Sequence, residues 1–391
     1  MVGHRRVEGS RRAPSQHLGD AFSPSSNSLN VLRVALALIV VVDHAIAATS
    51  LADVHLGVVG DATEGTIAVY GFFGISGFLI ARSADRRSVG RYAWQRVLRI
   101  FPALWVCLIV TAFVFVPLSH SPSSTACDVA CLLALKGGSL GYVLHNAILP
   151  ASQQGIGRTL QGVAVPGVWN FSVWTIPYEL LCYVLVGLLA FLAALRRIWI
   201  VAAVAAPLWI IGVVFGLTKR LLPSLSVAQV VTLVPVFIAG SLLYLLRDRV
   251  IDSGWLALAC TAVFAASLFS PFGSSGAAFF PVMNGPAMCA PLVAYPVLWL
   301  GCHLPFRRLF VRNDYSYGTY VFGGPIEQLL ASWGVPHWGL GPYIAVAVVM
   351  TLGVAVLSWR FVERPALRLK EARAPVDAAR RLAEGLLGRS G

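Results

Sequence analysis

The chain has 391 residues, 57% hydrophobic and only 12% charged, with a mean hydropathy of +0.75. Soluble domains carry about twice that share of charge, so a water-soluble enzyme of this size is excluded. Eleven Trp and twenty Phe exclude a disordered chain, and the net charge of +13 falls in short clusters between apolar runs, as a topology signal does. With no Cys/His finger or aromatic-interleaved basic patch, nucleic-acid binding has no support. The expected class is an all-α, polytopic integral membrane protein.

Residues 1–29 are rich in Ser, Arg and Pro and read as a disordered basic tail, with no convincing signal-peptide cleavage site. About ten segments follow that are near the ~20 apolar residues a crossing helix needs. They lie at 30–50, 65–81, 98–117, 171–194, 198–217, 227–246, 254–271, 284–303, 315–332 and 341–359. The second is short and Gly-rich. Between the third and fourth, residues 118–170 form the longest polar connection, suited to covering a site or holding an acceptor. Within it Cys127 and Cys131 are either a disulfide or two free thiols. A membrane domain over 30–366 is followed by a basic, Ala/Leu-rich tail, 367–391, that suits a helix on the inner membrane surface.

Arginines set the orientation. Those of the N-terminal tail, then Arg82, Arg86, Arg87, Arg91 and Arg96, then Arg196 and Arg197, Arg247 and Arg249, Arg307 and Arg308, and those of the C-terminal tail fall on alternate connections. The positive-inside rule makes that side cytoplasmic, with both termini inside and only Lys219 and Arg220 misplaced. The expected location is the inner, cytoplasmic membrane.

Ionisable residues inside such spans are functional candidates, because hydrocarbon penalises them unless they face a polar interior. Arg33 and His44 sit in the first span about three turns and ~16 Å apart, on nearly one helix face. Asp43 points about 100 degrees away from His44. Glu179 lies one or two turns into the fourth span and needs a partner. No His-x3-His or Cys-x2-Cys spacing suggests a metal site, and no Gly-x-Ser-x-Gly elbow supplies a serine nucleophile.

Six motifs occur in order: Leu32-Arg33 with His44, Phe72-Phe73-Gly74-Ile75-Ser76-Gly77-Phe78, Arg96-Val-Leu-Arg99, Trp174-Thr-Ile-Pro-Tyr-Glu179, Ser316-Tyr317-Gly318, and Phe361-Val-Glu363-Arg-Pro365. The sequence thereby resembles the acyltransferase-3 family of multi-pass bacterial membrane O-acyltransferases over residues 29–366. Two departures stand out: Gly323-Gly324-Pro325 where members often carry a His, and Gly74 where a larger aliphatic is usual.

The resemblance implies transfer of an acyl group from acyl-CoA, acetyl-CoA in the simplest case, to a sugar hydroxyl of a polysaccharide, glycolipid or glycosylated metabolite. On that reading Arg33, Arg96 and Arg99, with Ser76 and Tyr317, bind the donor from the cytoplasmic side, the arginines holding its phosphates. His44 takes the proton of the acceptor hydroxyl. Glu179 or Asp43 orients the imidazole, the resemblance favouring Glu179; His44 as an acyl carrier is equally open. The rival class is a transporter or flippase for a lipid-linked sugar, for which Pro-interrupted spans argue and the missing internal repeat argues against.

Overall fold

In the computed structural model, residues 16–47, 49, 63–120, 127, 129–148, 152–217, 225–269, 288–307, 309 and 313–370 are described. Among them the regular structure is helical, apart from one isolated bridge between His17 and Ile251. A helix occupies each of the ten apolar segments: α1 Leu29–Ala47, α2 Glu64–Asp85, α3 Val89–Val110, α4 Ile176–Phe191, α5 Ile198–Leu217, α6 Leu225–Leu245, α7 Gly254–Leu268, α8 Ala294–His303, α9 Ser316–Ser332 and α10 Leu340–Ser358. Among the described residues, six helices are long and apolar enough to cross a membrane. Both α3 and α10 continue through a π-turn, at Thr111–Phe115 and Trp359–Glu363. Outward faces carry Val184, Phe191, Trp199 and Val349, all exposed, while Ser241, Thr319, Glu327 and Gln328 are buried. A multi-pass membrane protein buries its polar groups in this way and leaves apolar ones to the lipid.

The Gly-rich second segment is the centre of the bundle. A Cβ on Gly77 would strike the Phe237 carbonyl oxygen, and one on Gly240 the Gly74 carbonyl oxygen. Backbones of α2 and α6 therefore touch, and Ser241 Oγ donates to the Gly77 carbonyl at 3.1 Å across the crossing. On its other side α2 runs antiparallel to α1, with Gly65 against Asp43 and Gly71 against Leu36. Helix α9 runs parallel to α1: Asp314, just before it, meets Arg33, Gly323 meets Val41, and Glu327 meets His44. It is buried continuously from Ser316 to Leu330.

Of the tail expected over 1–29, residues 1–15 lie outside the described residues. From 16 onward the chain is seated: Leu18 is fully buried, its N–H donating to the Val250 carbonyl at 2.9 Å. At the other end Trp94 Nε1 donates to the Leu369 carbonyl at 3.1 Å, and the expected surface helix beyond 370 falls outside the described residues. Within the long connection, Cys127 and Cys131 are disulfide-bonded. Its second half folds as a cap on α9, where Gln328 Nε2 donates to the Val165 and Val168 carbonyls at 2.8 and 2.5 Å.

Gly240→Leu should therefore reduce detergent-stable folded protein severely. Backbone cannot yield as a side chain does, so the cost lies at or above the upper end of the ~1–3 kcal/mol usual for overpacking. Size-exclusion profile and thermal midpoint in detergent measure it; Gly341→Ala, where an added Cβ meets nothing within 4 Å, is the control.

Candidate active site

Helical periodicity puts Arg33, Ala37, Val41 and His44 along one side of α1, and the site has two ends accordingly. At the Arg33 end is a closed ion cluster. Arg33 Nη1 meets Asp314 Oδ2 at 2.5 Å, Arg99 Nη2 meets the same oxygen at 2.7 Å, and Arg99 Nη1 meets Glu363 Oε2 at 3.2 Å. Asp314 immediately precedes α9, and its Oδ1 accepts from the Ser316 N–H and hydroxyl at 3.2 and 2.5 Å, so Oδ2 is left for the arginines. Glu363 closes the π-turn after α10 and accepts from Ser358 Oγ at 3.2 Å. Burial alone would raise the Asp314 pKa, but the charges of Arg33 and Arg99 and the Ser316 hydrogen bonds outweigh it and hold the carboxyl down at about 2.

Above this cluster is a partly open pocket lined by Arg33, Ser76, Glu179, Tyr317, Thr175 and Tyr320 together with Phe72 and Phe73. Glu179 accepts from the Tyr183 hydroxyl here, and Tyr317 donates to the Ile100 carbonyl at 2.9 Å with the Arg99 guanidinium over its ring. The Tyr320 and Thr175 hydroxyls bond at 2.5 Å. Both stand between the pocket and His44: Tyr320 is four residues beyond Ser316 on the way to Glu327, and Thr175 is three residues from Ser172.

At the other end His44 Nδ1 lies 3.3 Å from Ser172 Oγ and 3.9 Å from Glu327 Oε2, with Phe171 edge-on to the imidazole at 4.7 Å. Nε2 makes no hydrogen bond among the described residues. Ser172 is placed by a relay that begins at a proline. Pro325 has no N–H to give the Val321 carbonyl four residues earlier. That carbonyl instead accepts from Asn170 Nδ2 at 3.0 Å and Cys107 Sγ at 3.3 Å, and Asn170 Oδ1 accepts the Ser172 N–H at 3.1 Å.

The structure thus brings together Arg33, Ser76, Glu179 and Tyr317 in the pocket but separates Glu179 from His44. The carboxyl group nearest the imidazole is that of Glu327, fully buried, with neither oxygen hydrogen-bonded among the described residues. Glu179, expected to orient His44, has the Tyr183 hydroxyl as its hydrogen-bond partner instead. Asp43, the other candidate, packs against Gly65 and accepts from Thr63 Oγ1 at 3.3 Å. Arg99 is spent on two carboxylates, and Arg96 lies over the rings of Tyr92 and Tyr183, so neither lines the pocket. Glu327 was open to discovery from sequence by the rule that exposed Arg33 and Glu179, since it too is an acid in an apolar run. Asp314 sits in a polar stretch and carried no such signal.

A family model described as an acyltransferase domain matches residues 26–360. Among curated relatives, an O-acetyl transferase of Shigella phage Sf6 is 25% identical over 90% of this chain and 99% of its own. Nodulation protein 10 of Rhizobium leguminosarum bv. viciae is 30% identical over 88% and 94%, and exopolysaccharide production protein ExoZ of Rhizobium meliloti 27% over 84% and 95%. No solved structure matches significantly.

Asp314→Asn leaves two buried guanidiniums sharing one carboxylate and should cost about 3–5 kcal/mol at neutral pH, the usual price of breaking a buried pair. Because the folded carboxyl titrates at about 2, below its unfolded value near 3.9, its contribution is complete above about pH 4 and lost as pH falls through 2. The gap between wild-type and variant thermal midpoints should narrow over that window and be constant above it.

Proposed function

The chain belongs to the acyltransferase-3 family, and from that premise we propose that it moves an acyl group, acetyl in the simplest case, from acyl-CoA to a sugar hydroxyl at His44. The donor enters the pocket from the cytoplasmic side, with both termini of a ten-span bundle on that side and the protein in the inner membrane. A carbohydrate acceptor, on a polysaccharide or glycolipid, fits the relatives, one printed as an O-acetyl transferase and another as an exopolysaccharide production protein.

The observation that carries the reading is the pairing of His44 Nδ1 with a fully buried carboxylate, Glu327. A hydroxyl is a weak nucleophile until a base takes its proton, and imidazole is suited to do so near neutral pH. With Ser172 and Glu327 on the Nδ1 side, Nε2 is the nitrogen left to meet the acceptor. The hydroxyl proton passes to Nε2, its oxygen attacks the thioester carbonyl, the C–S bond breaks, and the departing thiolate takes the proton from the imidazolium. Glu327 favours that charged imidazolium, as the acid of a catalytic triad does, without itself taking the proton. The pantetheine arm lies along the hydroxyl-lined pocket, and Ser76, Glu179 and Tyr317 offer hydrogen bonds to its amides.

Purified protein in vesicles, given acetyl-CoA and a sugar acceptor, should release thiol in step with acceptor acylation. His44→Ala should lower kcat by at least about 10²-fold. Near wild-type transfer in that variant would overturn the assignment. Glu327→Gln should lower kcat on the order of 10²-fold or more with little change in KM for acetyl-CoA, because it removes an interaction strongest when the imidazole is charged. A flippase would release no thiol in any of these reactions.

A further inference from the structure

The nucleotide end of acyl-CoA carries a diphosphate and a ribose phosphate, and needs cations that the protein has not already neutralised. Arg33 and Arg99 do not qualify. Asp314 and Glu363 already engage both guanidiniums, at 2.5, 2.7 and 3.2 Å.

The arginines without a carboxylate among the described residues lie farther along the same route. Arg96 is ~4.5 Å, and Arg91 ~12 Å, beyond Arg99 along the axis of α3, in the direction away from His44. The Arg96 guanidinium lies 5.9 Å from the Tyr92 ring centroid and 5.7 Å from that of Tyr183. That Tyr183 hydroxyl donates to the pocket residue Glu179, which joins Arg96 to the pocket through one side chain. Arg87 precedes α3 and reaches back to the buried side chain of Gln95, bringing its guanidinium level with Arg96. Arg91 and Arg96 both repel it. Arg91 itself is exposed, as is Arg87. Arg96 held by two rings, Arg87 held by an amide and the exposed Arg91 thus present positive charge with no carboxylate partner among the described residues, a field that favours a bound polyanion.

Resting on the acyl-CoA reading above, we propose that Arg87 and Arg91, together with Arg96, form the phosphate-binding mouth of the donor pocket, and that Arg33 and Arg99 build the pocket wall instead of holding phosphate. The spacing suits the coenzyme: phosphates at the mouth, pantetheine along the pocket, thioester toward the imidazole.

The test compares two donors, acetyl-CoA and acetyl-pantetheine, the second lacking the nucleotide and its phosphates. In phosphatidylcholine vesicles, wild type should prefer acetyl-CoA, and the ratio of kcat/KM for the two donors should fall at least about tenfold in R87Q/R91Q, a loss carried by KM. Arg249→Gln, an exposed arginine outside the site, should leave the ratio where it was. In parallel, free coenzyme A should raise the thermal midpoint of wild type in detergent and raise that of R87Q/R91Q less. An unchanged ratio in R87Q/R91Q overturns the proposal, as does an equal fall in Arg249→Gln, which would mark bulk positive charge as the cause. If the arginines hold anionic lipid headgroups instead, R87Q/R91Q alters the dependence of activity on added phosphatidylglycerol while the donor ratio stands, which also overturns it. Failure of wild type to turn over either donor is a different result, since it removes the acyl-CoA reading itself.

Discussion

An unpaired guanidinium in hydrocarbon costs several kcal/mol, so Arg33 on α1 and Arg99 on α3 can be buried only where carboxylates meet them. Asp314, at the start of α9, and Glu363, at the end of α10, are those carboxylates. Four elements separated by as many as 330 residues of sequence, from Arg33 to Glu363, must converge for the charges to cancel. The pair of serines, Ser316 and Ser358, occupies the remaining carboxylate oxygens, as buried ions require. With that end fixed, the parallel run of α1 and α9 brings Glu327 level with His44, about three turns or slightly more farther along each helix.

Neutrality at one end sharpens the meaning of the charges left over. Within the bundle Glu327 has a histidine beside it and no hydrogen bond to either oxygen, a costly state for a fully buried acid. Toward the surface Arg87, Arg91 and Arg96 form a cationic group with no carboxylate among the described residues. A structural role explains the closed cluster, because each guanidinium in it meets a carboxyl group. The other two groups have no such internal explanation, and the proposals above assign them a proton moving through the imidazole in one case and a polyanion in the other.

Much of this was legible in the chain. Apolar length and arginine clusters marked every segment that carries a main helix, and the cost of charge in hydrocarbon singled out Arg33, His44 and Glu179. Partner choice was not legible. Glu179 and Glu327 are both acids in apolar runs, and only the packing of α9 against α1 decides which reaches His44. Arg33, Arg96 and Arg99 were expected together at the donor phosphates, and nothing in the chain announced that Asp314 would meet two of them, since it comes from a loop whose hydropathy gives no warning. The glycines of α2 serve helix contact: Gly74 and Gly77 meet the backbone of α6, while Ser76 between them faces the pocket.

The segment Gly323-Gly324-Pro325, where relatives of the family often carry a histidine, has its own physical consequence here. Pro325 interrupts the hydrogen bonding of α9 and frees the Val321 carbonyl, and Asn170 takes that carbonyl. Gly324 allows the approach, since a Cβ there would crowd Ser172 Oγ and Asn170 Oδ1 at 3.1 and 3.2 Å. Asn170 in turn fixes Ser172 against His44. A helix break that weakens α9 locally therefore anchors the segment 170–172 onto the face of α9 that meets His44. The same break lies between Tyr320, whose bond to Thr175 borders the pocket, and Glu327. Pocket and imidazole are thus separated along α9 by a stretch where Pro325 interrupts the helical ladder, and local motion of the helix costs less there.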